Sequence, residues 1–268
     1  TAVACPNCSG LWREARYDLE TVKQILPEVI KKRPFNLWRY RELLPVPGPN
    51  PILMMGEGGT PLIQAANLGM MLGCPNIFIK DERQGPTASF KDRQAAISIT
   101  GLKEAGVTEA VLASTGNVAI AYSAYAARAG IKLWTFLTSL VPAEKMREVA
   151  IYGSQVVKVT ASYDQVKQVA AEFARQRGLY LERGSRSIPS VEGMKTIAFE
   201  IVEQLTEILG PSPVANNHPQ VRPEWRAPDW YIQAVSGGLG PHGVQKGFIE
   251  LWQMGLIDHM PAMAHIQS

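Results

Sequence analysis

Apolar positions along this chain recur with two alternating periods. Short apolar runs occupy residues 76–80, 110–113, 132–137, 155–159, 230–235 and 262–266. Between them lie longer stretches, 89–105, 118–129, 142–152, 162–177, 192–209 and 244–254, whose apolar residues return every three or four positions. The first pattern predicts strands and the second amphipathic helices. Alternation of the two predicts parallel sheets covered by helices on both faces, an α/β fold. Upstream the pattern differs. Asp18 is placed to cap a helix running to about Lys32, with Leu19, Val22, Ile25, Leu26 and Val29 on one face, a kink at Pro27 and a stop at Pro34. A short helix around Leu37, Trp38, Tyr40 and Leu43 follows, then a Pro/Gly loop, then a helix near Gln64–Leu72. Residues 211–228, rich in Pro and Asn and without period, read as a surface loop. The strand at Ala262–Ile266 stands where a further loop and helix should follow, so a C-terminal part is expected to be missing.

Composition narrows the class. The chain has 268 residues, 46% of them hydrophobic and 19% charged, enough for a sizeable core in one large or two smaller domains. A formal charge of +3 without a dense Lys/Arg run argues against nucleic acid or a membrane surface as the main partner. No apolar run approaches the ~18 residues that span a bilayer. Three cysteines offer no disulfide framework, which fits a reducing, cytoplasmic setting. Cys5 and Cys8 form a CxxC knuckle, half of a tetrahedral zinc site, but this chain has no second pair. The expectation is no bound metal.

Three stretches carry candidate chemistry. In Gly85-Pro86-Thr87-Ala88-Ser89-Phe90-Lys91-Asp92-Arg93, one lysine lies between a Gly/Pro turn and a helix. A lysine tethered and partly desolvated there is suited to act as a neutral nucleophile or Schiff-base partner. In Ala113-Ser114-Thr115-Gly116-Asn117, between strand and helix, two hydroxyls, a glycine and a helix N-terminus suit a carboxylate, although an ordinary helix cap takes the same residue types. In Val235-Ser236-Gly237-Gly238-Leu239-Gly240-Pro241-His242-Gly243, the amides of Gly237, Gly238, Leu239 and Gly240 could nest a phosphate dianion, or simply form a tight turn. The loop is neither a Walker A motif nor a good GxGxxG fingerprint, and His242 reads as a loop residue. A reactive lysine, a carboxylate loop and a phosphate nest are together what an amino acid bound through pyridoxal phosphate requires.

In this order the motifs resemble the fold type II pyridoxal-phosphate enzymes, the tryptophan synthase β superfamily, and within it the threonine synthases. The resemblance rests on Gly56-Glu57-Gly58-Gly59-Thr60-Pro61-Leu62, Pro86 to Arg93, Ser114-Thr115-Gly116-Asn117 and Ser236-Gly237-Gly238-Leu239-Gly240, and on the Cys5–Cys8 knuckle followed by Tyr17-Asp18-Leu19. It implies that Lys91 holds the cofactor as a Schiff base and serves as catalytic base, and that Asn117 bonds the phenolic oxygen of the ring. It also implies that the Gly237–Gly240 amides hold the cofactor phosphate and that Ser114, Thr115 and Gly116 receive the substrate carboxylate.

The implied activity is β/γ elimination–replacement on a small amino acid, first O-phospho-L-homoserine to L-threonine and phosphate, by a cytoplasmic homodimer. The implied division is a large domain, residues 1–93 and 156–268, and a small mobile one, 94–155. Two departures bear on substrate. Val118 stands where these enzymes commonly have Thr. Ser187-Ile188-Pro189-Ser190 stands where an Asn-Pro-Xaa-Arg stretch commonly precedes the Glu-Gly-Xaa-Lys-Thr element, here Glu192-Gly193-Met194-Lys195-Thr196, leaving Arg183 and Arg186 as substitutes. A threonine/serine dehydratase, a diaminopropionate ammonia-lyase, a cysteate synthase and a non-catalytic binding member are the alternatives.

Overall fold

The computed structural model describes residues 7–10, 12–46, 53–114, 116–212 and 225–267. Helix α1 spans Leu19–Ile30. Asp18 caps it, accepting from the Thr21 amide at 3.1 Å and the Thr21 hydroxyl at 2.7 Å. Pro27 lies inside α1 and is buried with Leu26 and Ile30. A 3-10 turn, Leu37–Leu43, then buries Leu37, Trp38, Tyr40 and Leu43.

The next element departs from the parallel pattern. Strand β1 (Leu62–Gln64) pairs antiparallel with β2 (Phe78–Lys80), and α2 (Ala66–Leu72) connects them. A three-residue strand is too short to show a period of two, so its sequence merged with the following helix. Gly58 and Gly59 precede β1 with φ of +75° and +63°. A Cβ on Gly58 would fall 2.3 Å from the Leu37 amide nitrogen, and one on Gly59 2.1 Å from the Phe35 carbonyl. Both positions therefore need glycine twice over, for conformation and for space.

From there strand and helix alternate as expected. The elements are α3 (Lys91–Glu104), β3 (Glu109–Ala113), α4 (Asn117–Ala129), β4 (Lys132–Thr138), α5 (Ala143–Ile151), β5 (Gln155–Val159), α6 (Tyr163–Arg177) and β6 (Tyr180–Leu181). The four strands form one parallel sheet in the order β5-β4-β3-β6. The sheet continues past residue 155, since β5 begins there and β6 pairs with β3 at Ala110↔Tyr180. Ser162 and Gln165 make a reciprocal capping box at the head of α6.

The last part comprises α7 (Ile188–Leu209), β7 (Trp230–Ala234), α8 (Leu239–Gln253) and β8 (Ala262–Ile266), with β7 and β8 parallel. Most of the loop expected at 211–228 lies outside the described residues. Helix α8 starts five residues before the periodicity indicated. Pro241 is tolerated in a first turn, where its missing N–H would have no partner anyway. Leu239, Gly240 and His242 are therefore helical.

Helix α7 is the packing centre, lying against both α3 and α8. Glycines set the approach. A Cβ on Gly193 would sit 2.4 Å from the Arg93 carbonyl, one on Gly243 2.5 Å from Met194 Cβ, and one on Gly247 2.5 Å from the Lys195 carbonyl. Buried charges run along the same seam. Lys195 Nζ lies 2.5 Å from Glu192 and 2.8 Å from Glu250, and Lys246 Nζ lies 2.5 Å from Glu192. The N-terminal segment docks on this cluster through Tyr17, which donates to Glu192 at 3.0 Å, and through the Ala15 carbonyl, which accepts from Lys246 at 2.7 Å. Among the described residues no helix is long and apolar enough to cross a membrane.

Gly247→Ala should force α8 away from α7 and cost about 1–3 kcal/mol, read as a lower denaturant midpoint with an unchanged slope.

Candidate active site

Lys91 is the first residue of α3, directly after Phe90, whose backbone is already helical at φ −61°. Its Nζ lies over the Phe90 ring, 4.0 Å from the centroid. Burial alone draws the amine from 10.5 down to about 8, because an apolar surrounding disfavours the ammonium form. At pH 7 roughly 300-fold more of such an amine is unprotonated than of a solvated lysine.

The glycine-rich stretch meets the lysine through the same ring. A Cβ on Gly240 would lie 3.0 Å from Phe90 Cε2. Gly237 and Gly238 open on the other side, where an added Cβ would meet nothing within 4 Å, and Gly238 caps α8 at φ +76°. Leu239 and Gly240 are buried, Gly238 is half-buried and Gly237 is exposed. The first turn of α8 carries no acidic residue, and its leading amides have no acceptor within the helix. That end is prepared for an anion.

The second group lies at the carboxyl end of β3. Ser114 is buried, its amide donates to the Phe136 carbonyl at 3.3 Å, and its hydroxyl oxygen accepts from the Gly116 amide at 3.5 Å. Gly116 precedes α4, where an added Cβ would meet nothing within 4 Å. Asn117 is exposed, and its Oδ1 accepts from Lys145 Nζ of α5 at 3.4 Å. Thr115 lies outside the described residues. Among the described residues no hydrogen bond joins this group to Lys91; the link is the packing of α4 on α3.

Beneath the lysine lies a cluster of buried charges that the periodicity did not single out. Arg93, 1% exposed, donates to both oxygens of Glu200 at 2.7 Å and both of Glu82 at 2.8 Å. It also donates to the hydroxyls of Thr60 at 3.1 Å and Thr196 at 3.0 Å. Glu200 accepts further from the Gly59 amide at 2.9 Å and pairs with Lys80 at 2.7 Å. Although burial opposes ionisation, the Arg93 and Lys80 charges draw the Glu200 carboxyl down to about 2. Glu57 is fully buried and pairs with no cation among the described residues; it is held by Trp38 Nε1, by the Tyr125 hydroxyl at 2.7 Å and by the Met55 amide at 2.8 Å.

The segment before α7 turns inward. Glu182 accepts from the Gly184 amide at 3.1 Å, the Tyr180 hydroxyl at 3.2 Å and the Ser190 hydroxyl at 3.2 Å. Ser190 is fully buried and lies 2.9 Å from the Tyr122 hydroxyl. Arg186 stacks over Trp12, 5.4 Å from the ring centroid. Glu192, Lys195 and Thr196 are buried in the helix seams, so this element stabilises the fold. Cys8 is a free, exposed thiol, and Cys5 lies outside the described residues.

Residues 53–262 match the family described as pyridoxal-phosphate dependent enzyme. The chain belongs to this family. It is similar to the threonine synthase of Methanocaldococcus jannaschii, 35% identical over 264 residues that make up 98% of this chain and 60% of that protein. It is also similar to the threonine synthase of Methanosarcina acetivorans, 31% identical over 265 residues, with the same two shares. The chain thus spans about 60% of the length of these relatives. In fold it is similar to the diaminopropionate ammonia lyase of Escherichia coli, with a TM-score of 0.67 and 14% identity over 96% of this chain and 67% of that one. The α/β fold with parallel sheets is that of the fold type II members of the family.

The residues present fit pyridoxal phosphate. A desolvated amine is available for its aldehyde, and the open amide end of α8 suits its phosphate, the two being spaced by the Phe90 ring.

Glu200→Gln leaves Arg93 and Lys80 without their shared anion and should cost about 3–5 kcal/mol at pH 7. Because Arg93 and Lys80 hold the folded carboxyl at about 2, below its ordinary 4.5, the wild type loses this stabilisation as pH falls from 4.5 toward 2. The deficit of the variant, followed by denaturant unfolding at several pH values, should shrink over that interval.

Proposed function

We propose that this chain carries the reactive centre of a pyridoxal-phosphate-dependent lyase of the threonine synthase type. The favoured reaction is O-phospho-L-homoserine to L-threonine and phosphate. The observation that supports the reading best is the desolvated Lys91 amine packed on Phe90, with the glycine-lined start of α8 against the same ring.

In this reading Lys91 anchors the cofactor, and Gly237, Gly238, Leu239 and Gly240 direct their amides to its phosphate. Asn117 holds the ring oxygen. Ser114, Thr115 and Gly116 receive the substrate carboxylate at the head of α4, where the helix dipole favours an anion. When bound, the cofactor supplies an electron sink for charge that develops at the substrate α-carbon. The amine of Lys91, once the substrate has taken its place, accepts the α-proton; its lowered proton affinity keeps it available as a base near neutral pH. Phe90 shields that amine from water. Lys145, beside Asn117, brings a positive charge to the substrate end. A cytoplasmic homodimer, with a small mobile domain formed around the four-stranded sheet, belongs to the same proposal.

A second reading, a related lyase acting on threonine, serine, diaminopropionate or phosphoserine, is favoured by the substrate-phosphate region. Ser190 is buried among hydroxyls, Arg186 is engaged by Trp12, and Val118 offers no hydroxyl. Phosphate release from O-phosphohomoserine, against formation of an oxo acid from threonine, separates the two.

Lys91→Ala should abolish the visible absorbance of lysine-linked cofactor and lower turnover by at least about 10²–10⁴-fold. Persistence of that absorbance in the purified variant would rule out Lys91 as the linkage.

A further inference from the structure

We propose that Asp92 is the positioning residue for Lys91: clasped to the amide and hydroxyl of Thr87, its carboxylate holds the turn 85–90 closed and keeps the Lys91 amine against Phe90. The proposal rests on the reading of Lys91 as the cofactor-bearing lysine and adds the device that presents it.

Asp92 follows Lys91 in α3 and is 2% exposed. Its Oδ2 accepts from the Thr87 amide at 2.9 Å and its Oδ1 from the Thr87 hydroxyl at 2.6 Å. The adjacent guanidinium of Arg93 bonds Glu82 and Glu200 instead. A buried carboxylate held by neutral donors is costly unless those donors are fixed. Burial first, then the carboxylates of Glu57 and Glu82, raises the proton affinity of Asp92, and the Thr87 amide and hydroxyl act against them.

The clasp spans the strained point of the turn. Ala88, next to Thr87, has φ +54°, a left-handed conformation that costs a side-chain-bearing residue about 1–2 kcal/mol. Two weaker contacts close the same loop, the Ala88 amide to the Gly85 carbonyl at 3.0 Å and the Asp92 amide to the Ser89 carbonyl at 3.2 Å. Gly85 is shaped to the carboxylate as well, since a Cβ there would lie 2.6 Å from Asp92 Oδ2. Phe90, the wall on which Lys91 rests, is the last residue of the turn. Opening the turn moves that wall and lets water reach the amine.

The test compares wild type, Thr87→Ser, Thr87→Val and Asp92→Asn in the full chain. Ser keeps both donors and Val removes the hydroxyl at equal size. Asn turns one acceptor into a donor facing a donor. The proton affinity of Lys91 is read without cofactor, by trace acetylation across pH with quantification of the Lys91 peptide, alongside the melting temperature. Wild type and Thr87→Ser should titrate near 8. Thr87→Val and Asp92→Asn should move toward 10.5, with at least tenfold slower acetylation at pH 7.5, while the fold is retained. A folded Thr87→Val that titrates with the wild type overturns the proposal, as does unfolding of both clasp variants, which would make the clasp purely structural. Borohydride trapping of added pyridoxal phosphate on wild type tests the other reading. No label on Lys91 there, with the acetylation shifts intact, overturns the cofactor role and leaves the clasp standing.

Discussion

The lysine end of the candidate site is tied to one buried guanidinium. Arg93 bonds two carboxylates and two hydroxyls, drawn from the loop before β1, the segment after β2, and α7. A guanidinium has five donors in a plane, and here the partners converge on that plane from parts of the chain more than a hundred residues apart. Burying such a charge is unfavourable until the partners are in place. The cluster therefore forms only when the short antiparallel strands, the lysine turn and the central helix are assembled together. Lys91 lies two positions before this anchor on the same helix, so its backbone is fixed by the arginine behind it.

The site divides into two halves with different mechanical character. The lysine and the amide end of α8 share one ring, Phe90, and one helix seam. The carboxylate loop belongs to the four-stranded sheet and is joined to Lys91 only through helix packing. The first half is held by direct side-chain and backbone contact, the second only through the packing of α4 on α3.

How much of this was legible follows from the range of each interaction. The parallel strands and their helices were readable because burial of one face leaves a local period. Asp18 and Ser162 were readable as caps because a cap is decided within four residues. Lys91, Ser114, Gly116 and the 236–240 turn stood out as residue types at strand–helix junctions. The start of α8 was misplaced because glycine and proline signal a loop in sequence yet fit a helix's first turn. The antiparallel pairing of β1 and β2 left too few residues for any period. Glu57 stood in its motif without a role, and Glu82, half-buried, and Glu200, fully buried, were invisible because the partners that cover them lie on distant segments and a lone Glu in a sequence reads as solvated. Asp92 was quoted in its motif without a role, since its partner Thr87 is revealed only when the turn folds back.

The glycines at 193, 243 and 247 let three helices approach to backbone contact, with carbonyl oxygens where side chains would otherwise stand. Layers separated by side chains can slide by changing rotamers; layers in backbone contact cannot. The bundle of α3, α7 and α8 is therefore a stiff mount. The gap between the amine at the head of one rod and the glycine-rich head of another is set by rigid chain, and heat alone will do little to alter it.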